Sequence, residues 1–427
     1  MTLLDIIAML FALSALFGYI NHRILRLPHT IGLVVIALVV SLSLIVIDWF
    51  VPGFEVDDTV RGAIASIDFH ATLMEGMLSV LLFAGAVHVD LSELAAKKWA
   101  IGTLATVGIL TSTFLIGGVV WLVADMLGQS IPFIWALVFG ALISPTDPVA
   151  VLGILKTVRV PKPLEAKIAG ESLFNDGVGV VVFSILVAIA VGNGNGGGSI
   201  GVAEVAQLFA VEALGGALLG IVSGYIAYLA MRGIDEHNLE VLITLALVTA
   251  SYAFALHFHL SGPIAVVVSG IFIGNHGARF AMSENTRQHV FQFWELLDEL
   301  LNSVLFLLIG LEVLVVGLNP EFFPLMLLAI PIVLAARFTA VAVPITLLSV
   351  RQEFTRGAIT LLTWGGLRGG ISVALALSLP DVAFKPAILS MTYAVVVFSI
   401  IVQGLTMKPL VRVMMRKDEE YLEQAEE

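Results

Sequence analysis

Read from its N-terminus, the chain is a succession of long apolar runs, each closed by a short cluster of charged residues, glycine, proline or asparagine. A helix of about 20 apolar residues crosses a bilayer core. On that measure thirteen segments are predicted as helical crossings, near 3–20, 30–47, 70–87, 100–124, 132–155, 164–191, 205–230, 239–256, 261–276, 298–317, 322–349, 355–379 and 386–408. Two of them are interrupted. Segment 5 reads SPTDPVAV at its centre, with Pro145, Asp147 and Pro148 in close succession. A proline inside a helix removes a hydrogen bond and clashes with the preceding turn, at roughly 3 kcal/mol. An aspartate at the bilayer centre adds about 2.5–3.5 kcal/mol on insertion scales. Segment 12 has four glycines within six residues, GGLRGG, around Arg368. Each glycine weakens a helix by about 0.8–1.0 kcal/mol relative to alanine, so this segment is also predicted to unwind locally.

Cytoplasmic loops of membrane proteins collect lysine and arginine. The loops after the odd-numbered segments through 11, together with the C-terminal tail, hold 17 of the chain's 21 basic residues. The opposite loops hold only Arg61 and Lys385, and the remaining two, Arg337 and Arg368, fall inside segments. The N-terminus is therefore predicted outside and the C-terminus in the cytoplasm. With segment 7 as a linker, segments 1–6 and 8–13 form two sets of six with opposite topology, and each set is broken at its fifth helix. Inverted repeats with discontinuous helices at matching positions point to a transporter's binding site. Broken helices also expose dipole ends, positive at N-termini and negative at C-termini, which Asp147 and Arg368 can balance. The plainer alternative is that each charge balances only its own break.

Composition supports the membrane assignment. Of 427 residues, 59% are hydrophobic and 13% charged, with mean hydropathy +1.03, whereas soluble domains carry about 25% charged residues. The absence of cysteine excludes disulfides, thiolate zinc sites and iron–sulfur clusters. Much of the net charge of -12 comes from the stretch 48–58 and the tail after Arg416, and no basic stripe suits nucleic acid. The first twenty residues lack a positive n-region, so they read as a retained helix rather than a cleaved signal. The nine histidines cluster near segment ends, where interfacial placement accounts for most of them.

Segment 6 begins PLEAKIAGESLFNDG. Glu171 and Asn175 are four residues apart, as are Ser172 and Asp176, so the two pairs occupy adjacent stripes of one helix face. The cluster offers only oxygen ligands and an amide, which hard cations prefer. Arg337 in segment 11 needs a partner, because an unpaired charge in lipid is costly. The candidates are Glu171, Asp176 and Asp147. Pairing with Glu171 is predicted, which leaves Asp176 to titrate. Neither a His-Glu-x-x-His zinc motif nor a Gly-x-Gly-Asp protease motif occurs, so an enzyme is not expected. A passive monovalent cation channel is the alternative, since channels also use oxygen-lined sites.

Four motifs in order, SPTDPVAV, GESLFNDG, the pair LLNSVLFLLIGLEV and AARFTAV, and GLRGGISVALAL, resemble the NhaP/NHE branch of the monovalent cation:proton antiporters. The resemblance runs from about residue 10 to 410. It implies an all-α membrane protein that exchanges sodium, or another monovalent cation, for protons in the cell (inner) membrane and serves pH homeostasis, without a cofactor. It implies a homodimer whose core moves like an elevator against a scaffold. On that pattern, residues 1–96 are scaffold and dimerisation helices, 97–192 core, 193–320 a linking helix and further scaffold, 321–410 core, and 411–427 a cytoplasmic tail. Carried over by position, Asp176 is the principal cation and proton carboxylate. Thr146, Asp147 and Ser172 help coordinate the ion, and Asn175 supports the site. Glu171–Arg337 is the structural ion pair, and Arg368 the charge in the second broken helix. The Asn175–Asp176 pair implies electroneutral exchange, one cation for one proton. One departure stands out: many relatives have an acidic residue after Leu-Leu-Phe, and this chain has Ala84, with Glu75 the nearest substitute.

Overall fold

The computed structural model describes residues 3–50, 69–147, 151, 162–194, 202–316, 319–350 and 357–414. The acidic stretch 51–58, Arg61, Pro148, the side chain of Glu75 and the tail after Arg416 lie outside the described residues.

Every regular element among the described residues is helical. In chain order these are α1 (Leu3–Ile20), α2 (His29–Phe50), α3 (Thr72–Val87), α4 (Lys98–Met126), α5 (Phe133–Ile143), α6 (Lys162–Gly194), α7 (Val202–Met231), α8 (His237–His257), α9 (Gly262–Phe272), α10 (Glu284–Leu311), α11 (Phe323–Leu348), α12 (Ala358–Trp364), α13 (Gly370–Leu377) and α14 (Lys385–Met414). Among the described residues, eight helices are by themselves long and apolar enough to cross a membrane. Large apolar side chains lie bare on their outer faces, among them Leu4 at 74%, Trp99 at 67% and Leu347 at 71% exposure. Soluble monomers avoid contiguous apolar surface of this kind. This is a multi-pass membrane protein.

Helix α10 begins well before the apolar run that announces it. Its first turns carry polar residues on one side only, while Thr286, Val290 and Trp294 recur every four residues on the buried side. A scan for continuous apolarity misses such an amphipathic start. Ser283 caps it, its hydroxyl accepting from the Thr286 N–H.

The helices pack in two neighbourhoods. In one, α4 packs on α5, α5 on α6, α11 on α4, α13 and α14 on each other and on α5, and α14 also on α11. In the other, α2 packs on α10, α3 on α9 and α10, and α7, α8 and α9 on one another. Apolar side chains gain little from meeting each other in lipid, so close backbone approach through small residues carries much of the association. Gly140 and Gly117 provide it between α5 and α4. A Cβ on Gly117 would lie 2.8 Å from Leu137 Cα, and one on Gly140 would run into the Thr113 carbonyl. In the second neighbourhood Phe83 packs on Trp294 with ring centroids 4.6 Å apart, and Trp294 Nε1 donates to Thr244 Oγ1 at 3.0 Å. Gly140→Val should therefore force α5 off α4 and destabilise the protein by about 1–3 kcal/mol. Thermal unfolding in detergent reads this, and an unchanged midpoint contradicts the backbone contact.

Candidate functional site

The first break follows from proline chemistry. Pro145 has no N–H to continue the ladder, so the helix stops although Ser144 before it still has helical backbone. Ser144 Oγ turns back to donate to the Gly140 carbonyl at 2.6 Å. Helix α5 ends at Ile143, and Thr146 and Asp147 continue in non-helical backbone. The second break separates α12 from α13 by residues 365–369, of which three are glycine.

These two breaks touch. The Asp147 backbone N–H donates to the Leu367 carbonyl at 2.8 Å. Arg368 reaches across from the second break and donates to the carbonyls of Ser144 and Pro145, the latter at 2.8 Å. Those carbonyls close the C-terminal end of α5, where the helix dipole is negative. In the other direction, Asp147 stands over the start of α13, the positive end of that helix. Its carboxylate lies so close to Gly369, the N-cap, that a Cβ there would run into it. Among the described residues, each charge therefore stands at a helix end that belongs to the partner's broken segment. Gly366 also has no room for a side chain, since a Cβ would lie 2.6 Å from Arg337 Nε and 3.2 Å from Thr146 Cγ2.

Helix α6 brings the polar face of segment 6 against the first break, with Gly179 accommodating the Pro145 ring. Asn175 grips Thr146 twice. Its Oδ1 accepts from the Thr146 backbone N–H at 3.2 Å and its Nδ2 donates to Thr146 Oγ1 at 2.8 Å. Thr146 Oγ1 also shares a hydrogen bond with Ser172 Oγ at 3.0 Å. Asp176 is buried beside them, facing the charges of Asp147 and Arg368. Among the described residues no hydrogen bond is made to its carboxylate. The structure thus gathers Thr146, Asp147, Ser172, Asn175 and Asp176 at one crossing, with oxygen as the ligand type throughout.

Glu171, at the start of the same polar face, is engaged from α11. Arg337 of α11 donates to it through both terminal nitrogens, Nη1 to Oε1 and Nη2 to Oε2, the second at 3.0 Å. Both residues are buried, and Nη2 also donates to the Leu362 carbonyl of α12 at 3.0 Å. One guanidinium thereby joins α6, α11 and α12. A two-pronged pair of this kind fixes orientation as well as distance.

Two contributors escape the sequence reading. Ser399 Oγ on α14 accepts from the Arg368 backbone N–H at 2.9 Å and donates to Gln403 Oε1 at 2.7 Å. Gln403 Nε2 donates to the Trp364 carbonyl at 3.0 Å, holding the end of α12. Their signal was present: two polar residues four apart in an otherwise apolar helix. Ala84 is buried in α3, and its carbonyl is bonded to His88 Nδ1 at 2.7 Å.

Comparison with known proteins agrees with this geometry. The family model described as sodium/hydrogen exchanger, transmembrane, matches residues 12–413. The Na(+)/H(+) antiporter NhaP of Pseudomonas aeruginosa is 48% identical over 96% of both chains. The Na(+)/H(+) antiporter NhaH of Halobacillus dabanensis is 38% identical over 91% of this chain and 93% of its own. Among solved structures, the sodium proton antiporter MjNhaP1 of Methanocaldococcus jannaschii shares the fold with a TM-score of 0.72 at 19% identity, covering 96% of this chain and 98% of that one. The chain belongs to the sodium/hydrogen exchanger family of membrane antiporters.

Proposed function

We propose that this protein exchanges sodium, or another monovalent cation, for protons across the bacterial or archaeal inner membrane, by competition for the Asp176 carboxylate. The observation that carries the reading is the meeting of two interrupted helices, joined from Asp147 N–H to Leu367 O at 2.8 Å, beside a buried aspartate and the oxygens of Thr146 and Ser172. A carboxylate withdrawn from water is poorly tolerated as a bare charge and is stabilised by a proton or by a cation. Asp176 binds one or the other, and Asp147, Thr146 and Ser172 complete the cation's oxygen shell. Asn175 positions Thr146. Exchange follows if the site changes sides only when loaded.

The packing neighbourhoods support an elevator-like division of labour. Helices α4–α6 and α11–α14 carry the site and move as the core, while α1–α3 and α7–α10 form a scaffold that also dimerises. Thirteen crossings, with the N-terminus outside and the C-terminus in the cytoplasm, fit the distribution of basic residues. The Asn175–Asp176 pair supports one cation for one proton, so exchange carries no net current and serves pH homeostasis. Glu171–Arg337 is structural in this scheme, tying the site helix to α11 and α12.

Two outcomes are expected. In proteoliposomes holding a pH gradient, sodium addition should collapse the gradient without current, and Asp176→Asn should reduce that rate to the protein-free background while still purifying as a folded dimer. Normal exchange by this variant rejects competition at Asp176, and a sodium-dependent current without proton movement favours a passive channel. Separately, Arg337→Ala should cost about 3–5 kcal/mol by stranding a buried carboxylate. The Glu171→Ala/Arg337→Ala double variant should be less unstable than the sum of the two singles. Additive losses in detergent unfolding contradict the pairing.

A further inference from the structure

The turn between α1 and α2 borders a half-open hollow of about 500 Å³ lined by Asn21, His22, Arg23, Arg26 and His29, none of which belongs to the transport site. Its walls are built by specific contacts. Asn21 is buried, and its side chain clasps Leu27, Nδ2 donating to the carbonyl at 3.0 Å and Oδ1 accepting from the N–H at 3.2 Å. The Arg26 N–H donates to the Asn21 carbonyl at 2.6 Å, which closes the turn. Arg26 itself sits at φ 54, the left-handed region that side chains other than glycine seldom adopt. Gly32 leaves space for the Asn21 amide, since a Cβ there would run into it. His29 is bonded to Ser303 Oγ at 2.8 Å, fixing the cavity against α10.

The charge in this turn is unbalanced. Arg23 and Arg26 are exposed, and among the described residues neither guanidinium meets a carboxylate. The chain has 33 acidic residues against 21 basic ones, yet no ion pair to these two arginines is formed among the described residues. Cations just beyond the end of α1 favour the helix dipole, but that requires no polar hollow of this size. Next to the hollow, α1 and the turn that follows it present Leu16, Tyr19 and Ile24 to the outside, at 51%, 67% and 70% exposure. This combination is a polar, cationic hollow at the end of a membrane helix, continuous with bare apolar surface and a tyrosine of the kind found at the lipid headgroup level.

We propose that the α1–α2 turn binds the phosphate of an anionic phospholipid, with Arg23 and Arg26 as its donors and the acyl chains lying along Leu16, Tyr19 and Ile24. Guanidinium groups match phosphate geometry in a two-pronged fashion. Two unneutralised arginines favour a headgroup of net negative charge over a zwitterionic one, whose ammonium opposes them. The adjoining apolar strip favours a lipid over free phosphate, which has nothing to place there.

Native mass spectrometry on the full-length protein in detergent tests this, with phosphatidylglycerol, phosphatidylcholine and inorganic phosphate as separate probes. Wild-type protein should retain phosphatidylglycerol at a saturable site, and neither phosphatidylcholine nor inorganic phosphate should displace it. Arg23→Gln/Arg26→Gln should weaken that retention by about thirtyfold, the combined effect of two basic residues at an anionic surface. Lys97→Gln/Lys98→Gln, a basic pair at another segment end, should leave it unchanged. Equal retention of phosphatidylcholine overturns the proposal on wild-type protein alone, whatever the variants do. Displacement by inorganic phosphate reassigns the cavity to a soluble anion, and an equal loss in the lysine variant reduces the effect to general surface charge.

Discussion

An isolated charge in the middle of a membrane is costly, and the arrangement of this protein's interior turns on how that cost is met. Asp147 and Arg368 are placed so that each answers a helix end belonging to the other's segment. Arg368 closes the carbonyls of Ser144 and Pro145, and Asp147 stands over Gly369 at the start of α13. Neither break is tolerable alone, because each leaves a half-helix with unsatisfied polar ends in a water-poor region. Together they are mutually satisfying. The two segments, more than 200 residues apart in sequence, are bound into one structural unit by this exchange of charges and by the hydrogen bond between Asp147 and Leu367.

That unit explains the rest of the site. Once the breaks are held together, Asn175 and Ser172 have a fixed Thr146 to grip, and the oxygens beside Asp176 acquire defined positions. Arg337 performs a complementary service a few residues away, where it engages Glu171 and the Leu362 carbonyl together. One acid of α6 is thereby committed to structure. The other, a little over one turn further along the same helix, is buried and accepts no hydrogen bond among the described residues. Two carboxylates five residues apart thus take different tasks because they face different neighbours.

Much of this was legible in the residues. Prolines around Asp147 and glycines around Arg368 marked the breaks, since each removes helical stability for a stated reason. Four-residue spacing placed Glu171, Ser172, Asn175 and Asp176 on one face. Charge economy narrowed the partner of Arg337 to three carboxylates, and the fold brings Glu171 to it. What the sequence could not disclose was the crossing-over of the two charges, because that depends on the angle at which two distant segments meet. The four-residue spacing of Ser399 and Gln403 is visible, but their tasks are not, because the groups they hold at the second break are backbone groups of Arg368 and Trp364. The early start of α10 was hidden because its buried face is only one residue in four.

The central claim is that the buried oxygen cluster at the crossing holds a proton or a cation, but not both together. Calorimetric titration of sodium into the detergent-solubilised protein, repeated in buffers of different ionisation enthalpy, counts the protons released as the cation binds. Competition at Asp176 predicts about one proton released for each sodium bound when the site starts protonated, with release fading as the starting pH rises. Saturable sodium binding with heats independent of the buffer at every pH would contradict the account.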